Sequence, residues 1–154
     1  MSVTGQRHIL LASRSLAFVN YTGRPLPPSA ITLKLQNRQL SVVAENLVAQ
    51  ALEKQGWNIL ERNFRYIGCE LDIVARKCET LIIVEVKARR RKLSVIQDAL
   101  QLLPARKRAA LYRGSQIVAS RLADKSKTIR VDLALVYPDP QKKPIIDYYV
   151  NVLS

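Results

Sequence analysis

Residues 129–137 read Ile-Arg-Val-Asp-Leu-Ala-Leu-Val-Tyr. A run this apolar is what a strand buried on both faces requires. Two β-rich stretches precede it, Leu71-Asp72-Ile73-Val74 within 69–76 and Leu81-Ile82-Ile83-Val84-Glu85-Val86 within 80–88. The short polar link from Lys77 to Thr80 predicts a hairpin between them. A further strand-like segment covers about 57–65, and 145–152 reads as a last strand at a sheet edge.

Helical periodicity fills the remaining stretches. Leu40, Val43, Ala44, Leu47, Val48, Ala51 and Leu52 follow the i, i+3, i+4, i+7 pattern, so 40–55 is expected to be an amphipathic helix with Gly56 as its stop. Glu45 falls at the edge of that apolar stripe, about 20° beyond Leu52 at 100° per residue. A carboxylate there can point into a cleft beside the core. Residues 94–103 and 104–122 also read as helical, with Pro104 either opening the second helix or breaking one long one. The order is helix, three strands, helix, strand, strand, which makes the chain an α/β domain.

A chain of 154 residues can bury a core of that kind without staples. Its charge is the anomaly. Twenty-five Lys and Arg against 12 Asp and Glu leave +13, which points to a polyanionic partner such as DNA, RNA or an anionic surface. The surplus is local: 13 Lys and Arg and two acids lie between Lys87 and Arg130. Four acids, Glu70, Asp72, Glu79 and Glu85, stand just before that block. The single His8 argues against Ser-His-Asp, Cys-His and multi-histidine zinc chemistry. Five scattered glycines form no phosphate-cradling loop. Cys69 and Cys78 read as free thiols in a reducing cytoplasm, and no apolar stretch is long enough to span a bilayer.

Residues 1–36 contain no acid and carry Arg7, Arg14, Arg24 and Lys34. Three readings stay open: a loosely packed basic arm, an organelle transit peptide, or an over-long translated start. The arm is the leading one, with the domain proper expected over 37–154.

Chemistry is expected where the acids meet the apolar runs. Alternation puts Glu85 and Lys87 on one face of their strand and Val84 and Val86 on the other. If the two strands pair, Asp72 and Glu85 converge. Two carboxylates from adjacent strands make a hard-oxygen site for Mg²⁺ or Mn²⁺. Lys87 beside them suits positioning or activating a water, or offsetting charge on a phosphate. A lone acid-x-lysine is usually a solvated ion pair. The upstream Asp72, the apolar flanks and the adjacent basic block single this one out. Glu45 alone would read as solvent-facing. Arg89, Arg90, Arg91 and Lys92 are expected to form a phosphate-contacting rim, while Arg106, Lys107, Arg108 and Arg113 either flank the same groove or form a solvated helix face. Trp57, Tyr66, Tyr112, Tyr148 and Tyr149 are expected to pack in the core or at edges rather than to stack on bases.

An acid-bearing first helix, then Asp72, then Glu85-x-Lys87 resembles the PD-(D/E)XK nuclease superfamily. More closely, the chain resembles the YraN family, bacterial proteins predicted to be endonucleases. The resembling stretches include Ala44-Glu45 with Leu52 and Gly56, Asn63-Phe64-Arg65, Glu70 to Val74, Val84 to Arg89, Lys107 to Leu111 and Val131 to Val136. Together they cover about residues 40–137. The resemblance implies a restriction-endonuclease-like core: helix, three-strand meander, helix and strand, in a mixed central sheet flanked by helices. It implies a metal on Asp72 and Glu85, completed by Glu45, with Lys87 as the catalytic lysine. Glu70 and Asp132 match family acids of no assigned role. Cys69, Ala44 and Val48 depart from the residues usual there, and the glycine expected after the basic run is missing between Lys92 and Asp98. The implied function is a cytoplasmic, Mg²⁺- or Mn²⁺-dependent nuclease that hydrolyses phosphodiester bonds in DNA. A non-catalytic DNA- or RNA-binding protein on the same fold is the alternative. Nucleases of this type often pair to cut two strands, so a homodimer is one expectation, although no dimer face is legible.

Overall fold

The computed structural model describes residues 30–90, 101–122, 126–137, 139 and 143–153, with side chains from residue 36 onward. Most of the predicted arm, the predicted helix over 94–103 except its last residues, Arg91 and Lys92 lie outside the described residues. From Asn37 the chain forms one compact unit.

The elements are α1 (Ala30–Lys54), β1 (Asn58–Tyr66), β2 (Cys69–Lys77), β3 (Thr80–Ala88), α2 (Ala105–Arg121), β4 (Thr128–Tyr137) and β5 (Ile145–Tyr149). Helix α1 begins ten residues before the apolar stripe that announced it. Leu40 and Val43, counted in that stripe, are 44% and 53% exposed, whereas Ala44, Val48 and Leu52 are buried. Only the C-terminal half of the stripe therefore meets the sheet. Pro104 stands at the N-terminal cap of α2, as the opening-proline reading expected.

The five strands lie in one sheet in the order β1-β2-β3-β4-β5. Two tight hairpins join the first three. Gly68 turns the first at φ +75°, where a side chain would strain the backbone. In the second, Lys77 pairs with Thr80 as the polar link predicted. β3 and β4 are parallel, with Val84 beside Asp132 and Glu85 beside Leu133. A parallel neighbour needs a crossover, and α2 lies in that connection. β5 returns antiparallel and closes one edge.

The sheet is covered on both faces, which is why β3 and β4 are apolar almost throughout. Against one face, Ala44, Val48, Ala49 and Leu52 of α1 pack on Ile73, Ile82, Val84, Val86, Ala134 and Val136. Against the other, Leu111 and Val118 of α2 pack on Leu71, Leu81, Ile83, Leu133 and Leu135. Gly114 lets α2 settle close: a Cβ there would lie 2.8 Å from Leu71 Cδ2 and 3.2 Å from Cys69 Sγ.

Candidate functional site

The β2–β3 ladder ends at the pair Ile73 and Val84, although β2 runs back to Cys69 and β3 runs on to Ala88. That register sets Asp72 opposite Glu85 at the point where the strands part. The side chain of Asp72 takes the place of the next ladder bond, its Oδ2 accepting from the Val86 N–H at 2.7 Å. A carboxylate that satisfies a strand donor is fixed in orientation and held beside the notch.

Glu85 follows Leu81 and Ile83 on the α2 face, as period-two alternation predicts. It is 1% exposed. Its charge is offset by two lysines from different elements. Lys87, two residues along the same strand, donates to Oε1 at 2.5 Å. Lys107 reaches in from the first turn of α2, with Nζ 2.8 Å from Oε2. That second contact is ionic only: Lys107 lies off the direction of a hydrogen bond, and the buried Oε2 accepts none. The Lys107 ammonium also donates to the carbonyl of Glu70 at 3.3 Å.

Asp72 responds to this setting. Burial and, next, the Glu85 charge push its carboxyl up to about 6 from 3.8, while the Val86 N–H, Lys107 and Lys87 act the other way. Two acids too close to share their charge comfortably are suited to accept a cation between them.

The donor set fits a hard divalent ion. It offers two carboxylates, and one oxygen of the Glu85 carboxylate, the buried Oε2, accepts no hydrogen bond although the Lys107 ammonium lies against it. Mg²⁺ uses one or two carboxylates and keeps water or substrate oxygens for the rest. Among the described residues, no group of three or more His, Cys, Asp or Glu side chains is gathered closely enough to hold an ion. Glu45 therefore does not join Asp72 and Glu85. It is 9% exposed on α1 and so belongs to the helix on the opposite face from the one Glu85 shares with Lys107.

The predicted basic residues separate into two places. Arg106 and Lys107 line an open groove of about 780 Å³ with Arg65, Tyr66, Glu70 and Pro104, between α2 and the β1–β2 hairpin. Arg108 and Arg113 are exposed on α2. Arg89 and Arg90 instead border a different cavity of about 360 Å³, walled by Leu40, Val43, Leu47, Ala88, Val136 and Pro144. A single groove shared by 89–90 and 106–113 is not what the fold builds.

The remaining acids and aromatics sort by burial. Glu70 makes a surface ion pair with Arg65 at 2.9 Å. Asp132 is 0% exposed and fully engaged. It accepts from Arg130 Nε at 3.1 Å, Tyr148 Oη at 2.7 Å and the Asn151 N–H at 2.8 Å. Burial, with the Asp132 charge second, pushes the Tyr148 phenol upward. Arg130 also stacks over Trp57 at 5.6 Å. This network joins β4 to β5 and the following turn, a structural role. Trp57, Tyr148 and Tyr149 pack as predicted. Tyr112, 61% exposed, does not, and Tyr66, 40% exposed, carries the Arg121 guanidinium 4.4 Å above its ring. Cys69 and Cys78 are free thiols. No described helix is long and apolar enough to cross a membrane.

A helix, a three-strand meander, a crossover helix and a parallel fourth strand, with acids where β2 and β3 part, define a restriction-endonuclease-like α/β domain. The model of uncharacterised protein family UPF0102 matches residues 44–136, and the chain belongs to that family, also known as YraN. A UPF0102 protein of Desulforapulum autotrophicum is 50% identical over 54 residues, 35% of this chain and 45% of that one. One from Synechococcus is 37% identical over 112 residues, 72% of this chain and 83% of that one. One from Methylocella silvestris is 36% identical over 97 residues, 62% and 75% of the two chains. The matches with several other relatives span only about half of those proteins, 47% for that of Geobacter metallireducens. Among solved structures, Pyrococcus furiosus SfsA in complex with Ca²⁺ is similar at a TM-score of 0.29 and 18% identity, over 79% of this chain and 65% of that one. That likeness is too weak to bear on function.

Proposed function

We propose that this chain is a metal-dependent nuclease that hydrolyses phosphodiester bonds, with DNA as the first substrate to test. The observation that carries the reading is Asp72 opposite Glu85 at the split between β2 and β3, with Lys87 on Glu85 Oε1 at 2.5 Å. Asp72 and Glu85 would hold Mg²⁺ or Mn²⁺, which lowers the pKa of a bound water and offsets phosphate charge. Lys87 is fixed by Glu85 at the mouth of the site, where its ammonium can orient a water or support charge on the phosphorane-like transition state. Arg65, Arg106 and Lys107 supply the positive groove wall that binds backbone phosphates.

One feature favours a non-cutting nucleic-acid binder: both Glu85 oxygens already lie against lysine ammoniums. Calorimetric titration of Mg²⁺ and Mn²⁺ separates the two readings. It would use wild type and the Asp72→Ala, Glu85→Ala double variant, followed by incubation with a panel of labelled DNAs. The nuclease reading expects metal binding and cleavage to disappear together in the double variant. Wild-type protein that binds no metal, even with DNA present, would refute it.

A further inference from the structure

Glu85 has two oxygens and two ammoniums on them, so a divalent cation finds neither oxygen free. One lysine has to leave before a metal enters, and the geometry distinguishes them. Lys87 sits two residues from Glu85 on the same strand face and makes an aligned 2.5 Å hydrogen bond. It can remain on Oε1 while Oε2 is used. Lys107 comes from a different element, and its 2.8 Å contact with Oε2 lacks hydrogen-bond alignment. Its ammonium also touches the Glu70 carbonyl, and its side chain lines the open groove with Arg65, Tyr66 and Arg106. Lys107 thus stands with one side on the carboxylate and the other in the place where a backbone phosphate would lie.

We propose that Lys107 is an exchangeable occupant of the metal position, and that a phosphodiester entering the groove beside α2 draws its ammonium away from Glu85. This rests on reading Asp72 and Glu85 as the metal pair. A like-charged ammonium on Oε2 repels a second cation from the same oxygen. A phosphate in the groove offers Lys107 a better counter-charge and releases Oε2. Metal and substrate then bind with positive coupling, and the coupling is reciprocal by linkage. Substrate-free protein keeps its carboxylates neutralised and binds metal weakly. Arg65 and Arg106 remain in the groove to hold the phosphate that takes Lys107.

The test is calorimetric titration of Mn²⁺ into wild type, Lys107→Met and Lys107→Gln, each alone and with a short phosphorothioate duplex. Circular dichroism melting confirms that each variant is folded. Wild type is expected to bind Mn²⁺ about tenfold more tightly with the duplex, in the usual range for coupled sites. A duplex carrying uncharged methylphosphonates should give no gain. Both variants should bind Mn²⁺ about tenfold more tightly than wild type without nucleic acid, and gain little from the duplex. If wild type binds Mn²⁺ but the variants bind it no better, or keep the full gain from the duplex, the exchange is refuted and the metal pair stands. If no protein takes up Mn²⁺ in any arm, the metal pair fails and the exchange with it.

Discussion

Replacing Asp72 with Asn exchanges a buried carboxylate for an amide of the same shape. The amide oxygen can still accept from the Val86 N–H, so the cap on the parted ladder survives. What disappears is the burial cost of the charge and its repulsion from Glu85, the two largest causes of the raised carboxyl. The folded protein holds the Asp72 proton more tightly than the unfolded chain does. Stability from this group is therefore complete below about pH 4 and lost as pH rises through about 6. The rise from 3.8 to about 6 corresponds to about 3 kcal/mol at 1.36 kcal/mol per pH unit. An amide is a weaker acceptor than a carboxylate, so about 2 kcal/mol is the expected net gain for Asp72→Asn near neutral pH. In a chain this long, that is a rise in Tm of about 4–8 °C. Below about pH 4, both proteins carry a neutral group and the gain should vanish. Adding Mg²⁺ near neutral pH should narrow the difference, because only wild type retains both acids that bind it. The assay is calorimetric unfolding of the two proteins with chelator across that pH range. An Asn variant no more stable than wild type at neutral pH, or one equally favoured at acid pH, would refute the account of Asp72.

Other expectations follow from the same geometry. Lys87→Met should lower DNA cleavage by about a hundredfold or more while Mn²⁺ binding persists, read by steady-state cleavage and calorimetry. Asp132→Ala removes the acceptor for Arg130, Tyr148 and Asn151 and should cost about 3 kcal/mol in urea unfolding. Gly114→Ala should destabilise by about 1 kcal/mol in the same assay, since the overlap with the core side chain of Leu71 outweighs the helix preference for alanine. Arg65→Ala and Arg106→Ala should each weaken DNA binding across all sequences and lower the salt slope by about one, measured by fluorescence anisotropy.

The sheet was legible because β3 and β4 are buried on both faces, and burial on both faces writes itself as unbroken apolar runs. The face shared by Glu85 and Lys87 followed from alternation alone. Their convergence with Asp72 followed from the short hairpin link, which leaves the strands few registers. Three things were not legible. Lys107 reaches Glu85 only because α2 docks on the sheet, and a residue 22 positions away carries no local sign of that. Arg89 and Arg90 follow the proposed catalytic strand in sequence, yet the chain carries them to the cavity beside α1, away from Lys107. Leu40 and Val43 share the period of Val48 and Leu52 but lie beyond the part of α1 that the sheet covers. Periodicity marks a face of a helix and not how far its neighbour extends.

The outer strands bear on how copies of this chain can meet. β1 presents Glu61, Arg62 and Arg65 along an exposed rim, breaks its register between Ile59 and Glu61, and bends at Asn63, where φ is +52°. β5 has only five residues, one of them Asp147, and follows Pro144. Charge, a bulge and brevity are the devices that stop one sheet from growing onto another. Joining two molecules strand to strand would have to desolvate the charged Glu61, Arg62 and Arg65 and accommodate the bulge at the first rim, and would gain few bonds at the second. Among the described residues, neither strand edge is built to let one sheet continue into that of a second copy.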